Sequence, residues 1–307
     1  MKYKLLVYLL FGFLTACVHP RVDGTGFLET KRLLAEKIPI NEVFSADWVT
    51  KSGNYFIISS YKADTALFLY EIPSLTFKRL EGAKGDGPDK IQTYATFCHT
   101  LADDYLYVRG YSYMSIKKIK IEPDGHFSFI DEYPLKGSEY NCMNIIGDSL
   151  LLYYNTEELS IKKYNLNSKK IEKEIELVKD EHHESYYYSN RGLIAANDSF
   201  VVYPYVYKKQ IDIYDVKNLN LRKRINDNKE YPQVKPGNPD IERQYLNIYT
   251  GKKYFYVIYI GHKEENGDYS NRTMEVYDYA GRAIVKYTFD IVPFYYVVDE
   301  ENGYICR

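Results

Sequence analysis

Cysteine is scarce in this chain: 4 in 307 residues, with no CxxC pair. That argues against a disulfide framework and a thioredoxin-type redox centre. Tryptophan occurs once. No segment reaches the ~20 consecutive apolar residues that a membrane-spanning helix needs. Neither sign of charge dominates, since 40 Lys and Arg face 42 Asp and Glu for a formal net of -2. The chain therefore has no basic footprint for nucleic acid, and no nucleic-acid partner is expected. There is no GxSxG elbow for an α/β-hydrolase serine, no GxGxxG after a strand for a dinucleotide, and no GK[ST] phosphate loop. Helical periodicity is weak throughout. No motif calls for a cofactor, a metal or a catalytic residue.

Tyrosine, by contrast, is abundant, with 35 residues beside 14 Phe, and hydrophobic residues make up 45% of the chain. Tyr is enriched in strands, so the bias favours β structure with a sizeable core. The N-terminus reads as an address. Lys2 and Lys4 precede a ten-residue apolar run, Leu5 to Leu14, which suits the core of a signal peptide. Leu14-Thr15-Ala16-Cys17 follows and resembles a bacterial lipobox, in which small residues fit the peptidase cleft and the Cys thiol accepts diacylglycerol. Residues 1–16 are therefore expected to be a lipoprotein signal peptide. Residues 17–28 would carry the lipid on Cys17 and the tether, and residues 29–307 would form a single domain. Two or more acyl chains give stable anchoring. The expected place is the cell envelope, lipid-anchored at the outer membrane, with periplasmic and surface faces both open. Of the later cysteines, Cys98, Cys142 and Cys306, a Cys98–Cys142 bridge is one option and buried free thiols the other.

The body is a repeat. A polar turn followed by a short apolar strand begins at Asn54, Asp104, Asp148, Asp198, Lys253 and Gly303, at spacings of 44 to 55 residues. After each of the first five comes an alternating strand, a turn and a charged strand: LFLYEIPSLTFKRL, IKKIKIEPDGHFSFI, IKKYNLNSKKIEKEI, IDIYDVKNLNLRKRI and MEVYDYAGRAIVKYTF. A period of 40–50 residues with about four short strands per unit is the mark of a β-propeller. The fold class expected is all-β, a six-bladed β-propeller with an incomplete last blade, because the chain stops before the sixth unit reaches its second half. That shortfall reads as C-terminal shortening. Glu29 to Ile40 is placed to supply an outer strand that closes the ring.

The lipobox, the roughly 50-residue β repeats, the Gly85-Asp86-Gly87-Pro88-Asp89 turn and the segments Arg243 to Gly261 and Met274 to Asp290 together resemble the TolB-like six-bladed propeller lipoproteins of envelope-bearing gut anaerobes. The resemblance covers most of the chain after Cys17. It implies the propeller and the anchor, but it carries no activity and no catalytic residues. The abrupt end after Arg307 departs from that pattern.

Four groups of residues invite a chemical reading. Glu181-His182-His183-Glu184 is the densest set of metal-ligating types, but adjacent strand residues face opposite ways, and a solvated loop is the plainer reading. Gly85-Asp86-Gly87-Pro88 could form an amide nest for an anion, or a chain reversal needing glycine. Asp103-Asp104 and Asp299-Glu300-Glu301 are paired carboxylates in expected turns. Tyr186, Tyr187 and Tyr188, with Tyr203 and Tyr205, flank the fourth repeat and are the candidate ligand-contact aromatics; tyrosines at a propeller mouth can stack on sugars or peptide side chains. The expected role is recognition of a glycan, peptide or envelope-protein partner by a membrane-tethered propeller. The alternative is a propeller enzyme, a calcium-assisted lactonase, lyase or glycosidase, with Asp, Asn, Glu or His side chains converging in the central funnel.

Overall fold

In the computed structural model, the structure describes residues 26–43, 45–110, 115–135, 140–177, 189–232, 234, 241–263 and 272–307. Cys17, Glu181-His182-His183-Glu184 and Tyr186, Tyr187 and Tyr188 lie outside the described residues.

The repeats form separate antiparallel sheets. Blade one is β2 (Trp48–Ser52), β3 (Tyr55–Ser59), β4 (Thr65–Glu71) and β5 (Thr76–Ala83). Blade two is β6 (Thr96–Cys98), β7 (Tyr105–Arg109), β8 (Ser115–Ile121) and β9 (Phe127–Pro134). Blade three is β10 (Tyr140–Ile146), β11 (Leu150–Asn155), β12 (Ser160–Asn165) and β13 (Lys170–Glu176). Blade four is β14 (Ala195–Ala196), β15 (Phe200–Pro204), β16 (Gln210–Asp215) and β17 (Leu221–Asn226). Blade five is β18 (Glu242–Thr250), β19 (Tyr254–Lys263), β20 (Thr273–Asp278) and β21 (Ala283–Phe289), extended by β1 (Thr30–Leu33). The sixth repeat contributes a two-stranded sheet, β22 (Val297–Asp299) and β23 (Tyr304–Cys306). The arrangement is a propeller with five sheets of four or five strands. The sixth repeat, expected to be cut short, supplies only this pair.

The strand chemistry follows position in the sheet. Second strands lie between two neighbours and under adjacent blades, so β3 and β11 are apolar and buried along nearly their whole length. Fourth strands sit at the perimeter, so β13 (KIEKEIE) and β17 (LRKRIN) are charged and exposed. Separate apolar clusters join blade one to two, two to three, three to four and four to five. The β22–β23 pair has a core on each face. Val298 and Ile305 pack on blade five, and Val297 and Cys306 on blade one. Burying both faces of every sheet against its neighbours is what the repeat requires, since no blade can hide its apolar surface alone.

The N-terminal segment forms a strand, but not on the last blade. β1 runs parallel to β21, pairing Thr30 with Lys286 through Leu33 with Phe289. Phe27 decides this placement. It is buried in the cluster between blades four and five, edge-on to Tyr277 at 5.1 Å. Asp290 then receives the Ala35 amide at 3.0 Å. Ile40 and Val43 continue onto blade one beside Cys306, and Glu42 accepts the Tyr70 phenol at 3.2 Å. Among the described residues all three cysteines are free, with Cys98 buried, so no Cys98–Cys142 bridge forms.

Candidate functional site

Strand direction gives the propeller two unlike ends. At one end lie the tight turns between first and second strands, such as Gly53-Asn54 and Gly147-Asp148. At the other lie the long connections between blades and the loops after the second strands. First strands line the axis, with β2 touching β6 and β22, β10 touching β6 and β14, and β14 touching β18.

Near the tight-turn end the axis is closed by a hydrogen-bonded ring through four blades. His99 joins Asn144 as a parallel bridge, with the Ile145 amide donating to the His99 carbonyl at 2.8 Å. The Asn144 side chain accepts the Ala196 amide at 2.9 Å. Thr250 Oγ1 donates to the Ala196 carbonyl at 2.9 Å, and His99 Nε2 lies 2.9 Å from the Thr250 carbonyl. Burial depresses the His99 imidazole to about 4, leaving it neutral, with Nε2–H as donor to Thr250. Tyr249 packs edge-on to it at 4.9 Å.

The opposite end is open. A cavity of about 220 Å³ lies over blades three to five. Among the described residues its cations are Arg191 and Arg243; Tyr154, Tyr207 and Tyr245 supply rings, and Cys142 and Thr156 add a thiol and a hydroxyl. Its floor is main chain: Leu193 donates to the Pro204 carbonyl at 3.0 Å and Val206 to the Arg191 carbonyl at 2.9 Å. Gly192 sits where a Cβ would lie 2.4 Å from the Tyr203 ring, so only glycine lets this strand cross that face. Cys142 reaches the cavity from a bulge in β10, at φ 48°. Bulges re-aim side chains in this way.

The same end carries exposed aromatic pairs. Trp48 and Tyr295, 39% and 41% exposed, lie 4.7 Å apart between ring centroids. Tyr61 and Tyr94 stack at 4.9 Å, and the Lys62 ammonium lies 5.5 Å from the Tyr61 ring centroid. Phe294, 49% exposed, adjoins Tyr295.

Tyr203 and Tyr205 are not among these exposed rings. Tyr203 is fully buried between blades three and four, with its phenol donating to the Asn190 carbonyl at 2.9 Å. Tyr205 is buried beside it and donates to Asp212 at 3.0 Å. Both lie in blade packing: Tyr203 is on β15, the enclosed second strand of its blade, and Tyr205 follows directly after it, bridged to Gly192.

The glycine turn at Gly85 gathers carbonyls, not amides. Lys117 Nζ bonds the carbonyls of Gly87 at 2.7 Å, Pro88 at 3.2 Å and Lys90 at 2.7 Å. The turn therefore encloses a cation of the protein itself. The paired carboxylates serve turns and sheet contacts. Asp299 accepts the Asn302 amide and side chain. Glu300 crosses to blade five, where it accepts the Lys253 and Tyr254 amides at 3.0 Å. Asp103 pairs with Lys252 at 3.5 Å. Among the described residues no three His, Cys, Asp or Glu side chains converge on a point where a metal could sit. No described helix is long and apolar enough to cross a membrane.

Residue order gave little warning of the cavity. Arg191, Arg243 and Cys142 come from three different blades and form no local motif. The one available signal was Arg191-Gly192, a charged residue beside a glycine just ahead of a buried strand.

No known protein family matches the chain, and no curated protein does. Solved structures do. A protein of Bacteroides fragilis described as exported superposes with a TM-score of 0.55 at 16% identity, over 85% of this chain and 79% of its own. A member of the DUF4221 family from Bacteroides vulgatus gives 0.52 at 12% identity, over 79% of this chain and 81% of its own. At such identities the likeness concerns the fold alone, and it agrees with the propeller.

Proposed function

We propose that this chain is an envelope lipoprotein of the TolB-like kind, a six-bladed propeller with an incomplete last blade, lipid-anchored through Cys17 at the outer membrane. Its loop-bearing end recognises a glycan, peptide or protein partner. The observation that carries this reading is the group of exposed aromatics at that end, Trp48 with Tyr295 and Tyr61 with Tyr94. Large rings left in water cost hydrophobic free energy, and clusters of them mark recognition surfaces. Tyr and Trp give broad contact at low entropy cost and dominate binding hot spots. The signal-like residues 1–16 and the fold shared with a Bacteroides fragilis protein described as exported support the location.

The test begins with tethered protein recovered from native membranes. Cross-linked partners are identified for the natural chain and for Trp48→Ala/Tyr295→Ala. Species enriched by the natural chain and lost from the double variant are expected; identical captures would remove the aromatic surface from the argument. Cys17→Ala is expected to abolish acyl labelling and release the protein to the soluble fraction, and persistent labelling would contradict the anchor.

A further inference from the structure

We propose that the cavity over blades three to five is a receptor site for a small organic carboxylate carrying a hydroxylated ring, with Arg191 as its principal anion contact. This rests on the recognition role proposed above and names the chemistry that the axial cavity would select.

The charge of the lining comes first. Arg191 from the lead-in to β14 and Arg243 from β18 both border the cavity, and no Asp or Glu is among the described residues lining it. Arg243 already has an interaction within the chain, so Arg191 is the cation offered to a ligand. A cation beside low-dielectric walls attracts a ligand of the opposite sign. The guanidinium supplies a planar fork that matches a carboxylate.

The placement of Arg191 suits a ligand contact. Its backbone is locked by the Val206 amide, and the next residue is held flat against Tyr203 by the lack of a Cβ at Gly192. Its side chain is exposed on that fixed base. A rigid backbone under an accessible cation reduces the ordering cost of binding.

The remaining walls select what accompanies the anion. Tyr245 is fully buried with its phenol on Glu275, 3.4 Å away, so Tyr207, which is partly exposed, is the ring that a ligand meets. Tyr207 and Leu193 add apolar surface, and Thr156 adds a hydroxyl. Apolar faces with one or two hydrogen-bonding groups fit a ring that is flat on its faces and polar at its edge. The volume sets the size. At about 220 Å³ the cavity suits a single ring.

Full-length protein without its lipid (Cys17→Ser) is titrated with D-galacturonate, D-galactose and inorganic phosphate, reading thermal shift and calorimetric heat. The first two probes differ only in the carboxylate. Galacturonate is expected to bind and raise the melting temperature, and galactose to bind at least ~10-fold more weakly. Arg191→Ala is expected to weaken galacturonate by ~10-fold or more, with Arg191→Lys falling between. Arg191 is exposed, so its replacement leaves the fold intact, and an unchanged melting temperature without ligand verifies that. Equal responses to galacturonate and galactose, or an unaffected Arg191→Ala, overturn the anion assignment. Phosphate binding as tightly as galacturonate overturns the organic part. Absence of any galacturonate response overturns the site as a whole. The membrane cross-linking above reads a different surface: its failure alongside intact galacturonate binding refutes the partner role and supports the cavity.

Discussion

Tyrosine owes its abundance to what one side chain can do between two blades. The ring fills apolar space while the phenol reaches a polar group at the margin. Tyr296 donates to the Tyr256 carbonyl at 2.8 Å, Tyr55 to the Pro123 carbonyl at 3.1 Å, and Tyr279 to the Gly251 carbonyl at 2.7 Å. Two buried carboxylates use the same device. Asp212 accepts Tyr205 and Tyr214 and is held by Arg224 through two 2.7 Å bonds. Glu275 accepts Tyr277 at 2.8 Å and Tyr245 at 3.4 Å, but its cation, Lys209, lies 3.8 Å off. Burial raises the Glu275 carboxyl above its ordinary value, with Lys209 opposing only in part. A carboxyl raised on folding binds its proton more tightly in the native state, so ionising it costs stability as pH climbs above the unfolded value of about 4.5. Glu275→Gln keeps an acceptor for both phenols and cannot ionise. Measured by urea unfolding, the natural chain should lose ground steadily to this variant as pH rises from 4.5 to 8. A difference that stays constant over that range would contradict the assignment.

Each hairpin between third and fourth strands repeats one solution. A Tyr or Ile packs inward, an Asp or Asn often follows and binds turn amides, and one residue adopts positive φ. Asp215 accepts the Asn218 amide at 2.7 Å, Asn165 the Ser168 amide at 2.9 Å, and Asp278 the Ala280 amide at 3.0 Å. The ladder slips at the corresponding place in all five blades, for example between Val276 and Tyr277. The positive-φ position is Leu75, Lys169 or Leu219 in three blades and Gly125 or Gly281 in two. At Gly281, with φ +80°, a Cβ would lie 2.8 Å from Lys223. Gly281→Ala should therefore cost ~1–2 kcal/mol, whereas Lys169→Gly, at an exposed counterpart with φ 56°, should change stability by less than ~1 kcal/mol. Thermal unfolding of the two single variants distinguishes them, and equal losses would refute the strain argument. This scale was the most legible in the sequence. All six turn-and-strand signals fall on second strands, because a strand buried on both faces must be apolar and a tight turn must be polar. Partners were less legible. Phe27, not any pattern within residues 30–33, assigns β1 to blade five. The glycine turn holds Lys117, thirty residues away. The depth of Tyr203 depends on blade three, and the cavity depends on three blades at once. Local spacing carries strand and turn chemistry, but it does not report which distant side chain completes a contact.

At the scale of the whole molecule, the question is what keeps the wheel shut. Around the rim, the small β22–β23 sheet presents Val298 to blade five and Val297 to blade one, so both of its faces are used. At the axis, the ring from His99 through Asn144 and Ala196 to Thr250 ties four blades together, and its last link joins two that are not neighbours in the chain. That link has a proton dependence. The His99 imidazole falls to about 4 in the folded protein because charging it inside the axis is costly. The unfolded value is about 6.5, so between these two the unfolded chain binds the extra proton, and stability is lost as pH falls from 6.5 toward 4. Above pH 6.5 the contribution is fully present. The full shift corresponds to at most about 3 kcal/mol. His99→Gln retains a donor for the Thr250 carbonyl and has no proton to gain. The natural chain should therefore lose more stability than this variant on acidification from pH 7 to 4.5, while the two differ little in slope above pH 7. Parallel stability curves across the acid range would show that His99 is solvated well enough to charge without penalty, and that the axis is not closed at this level.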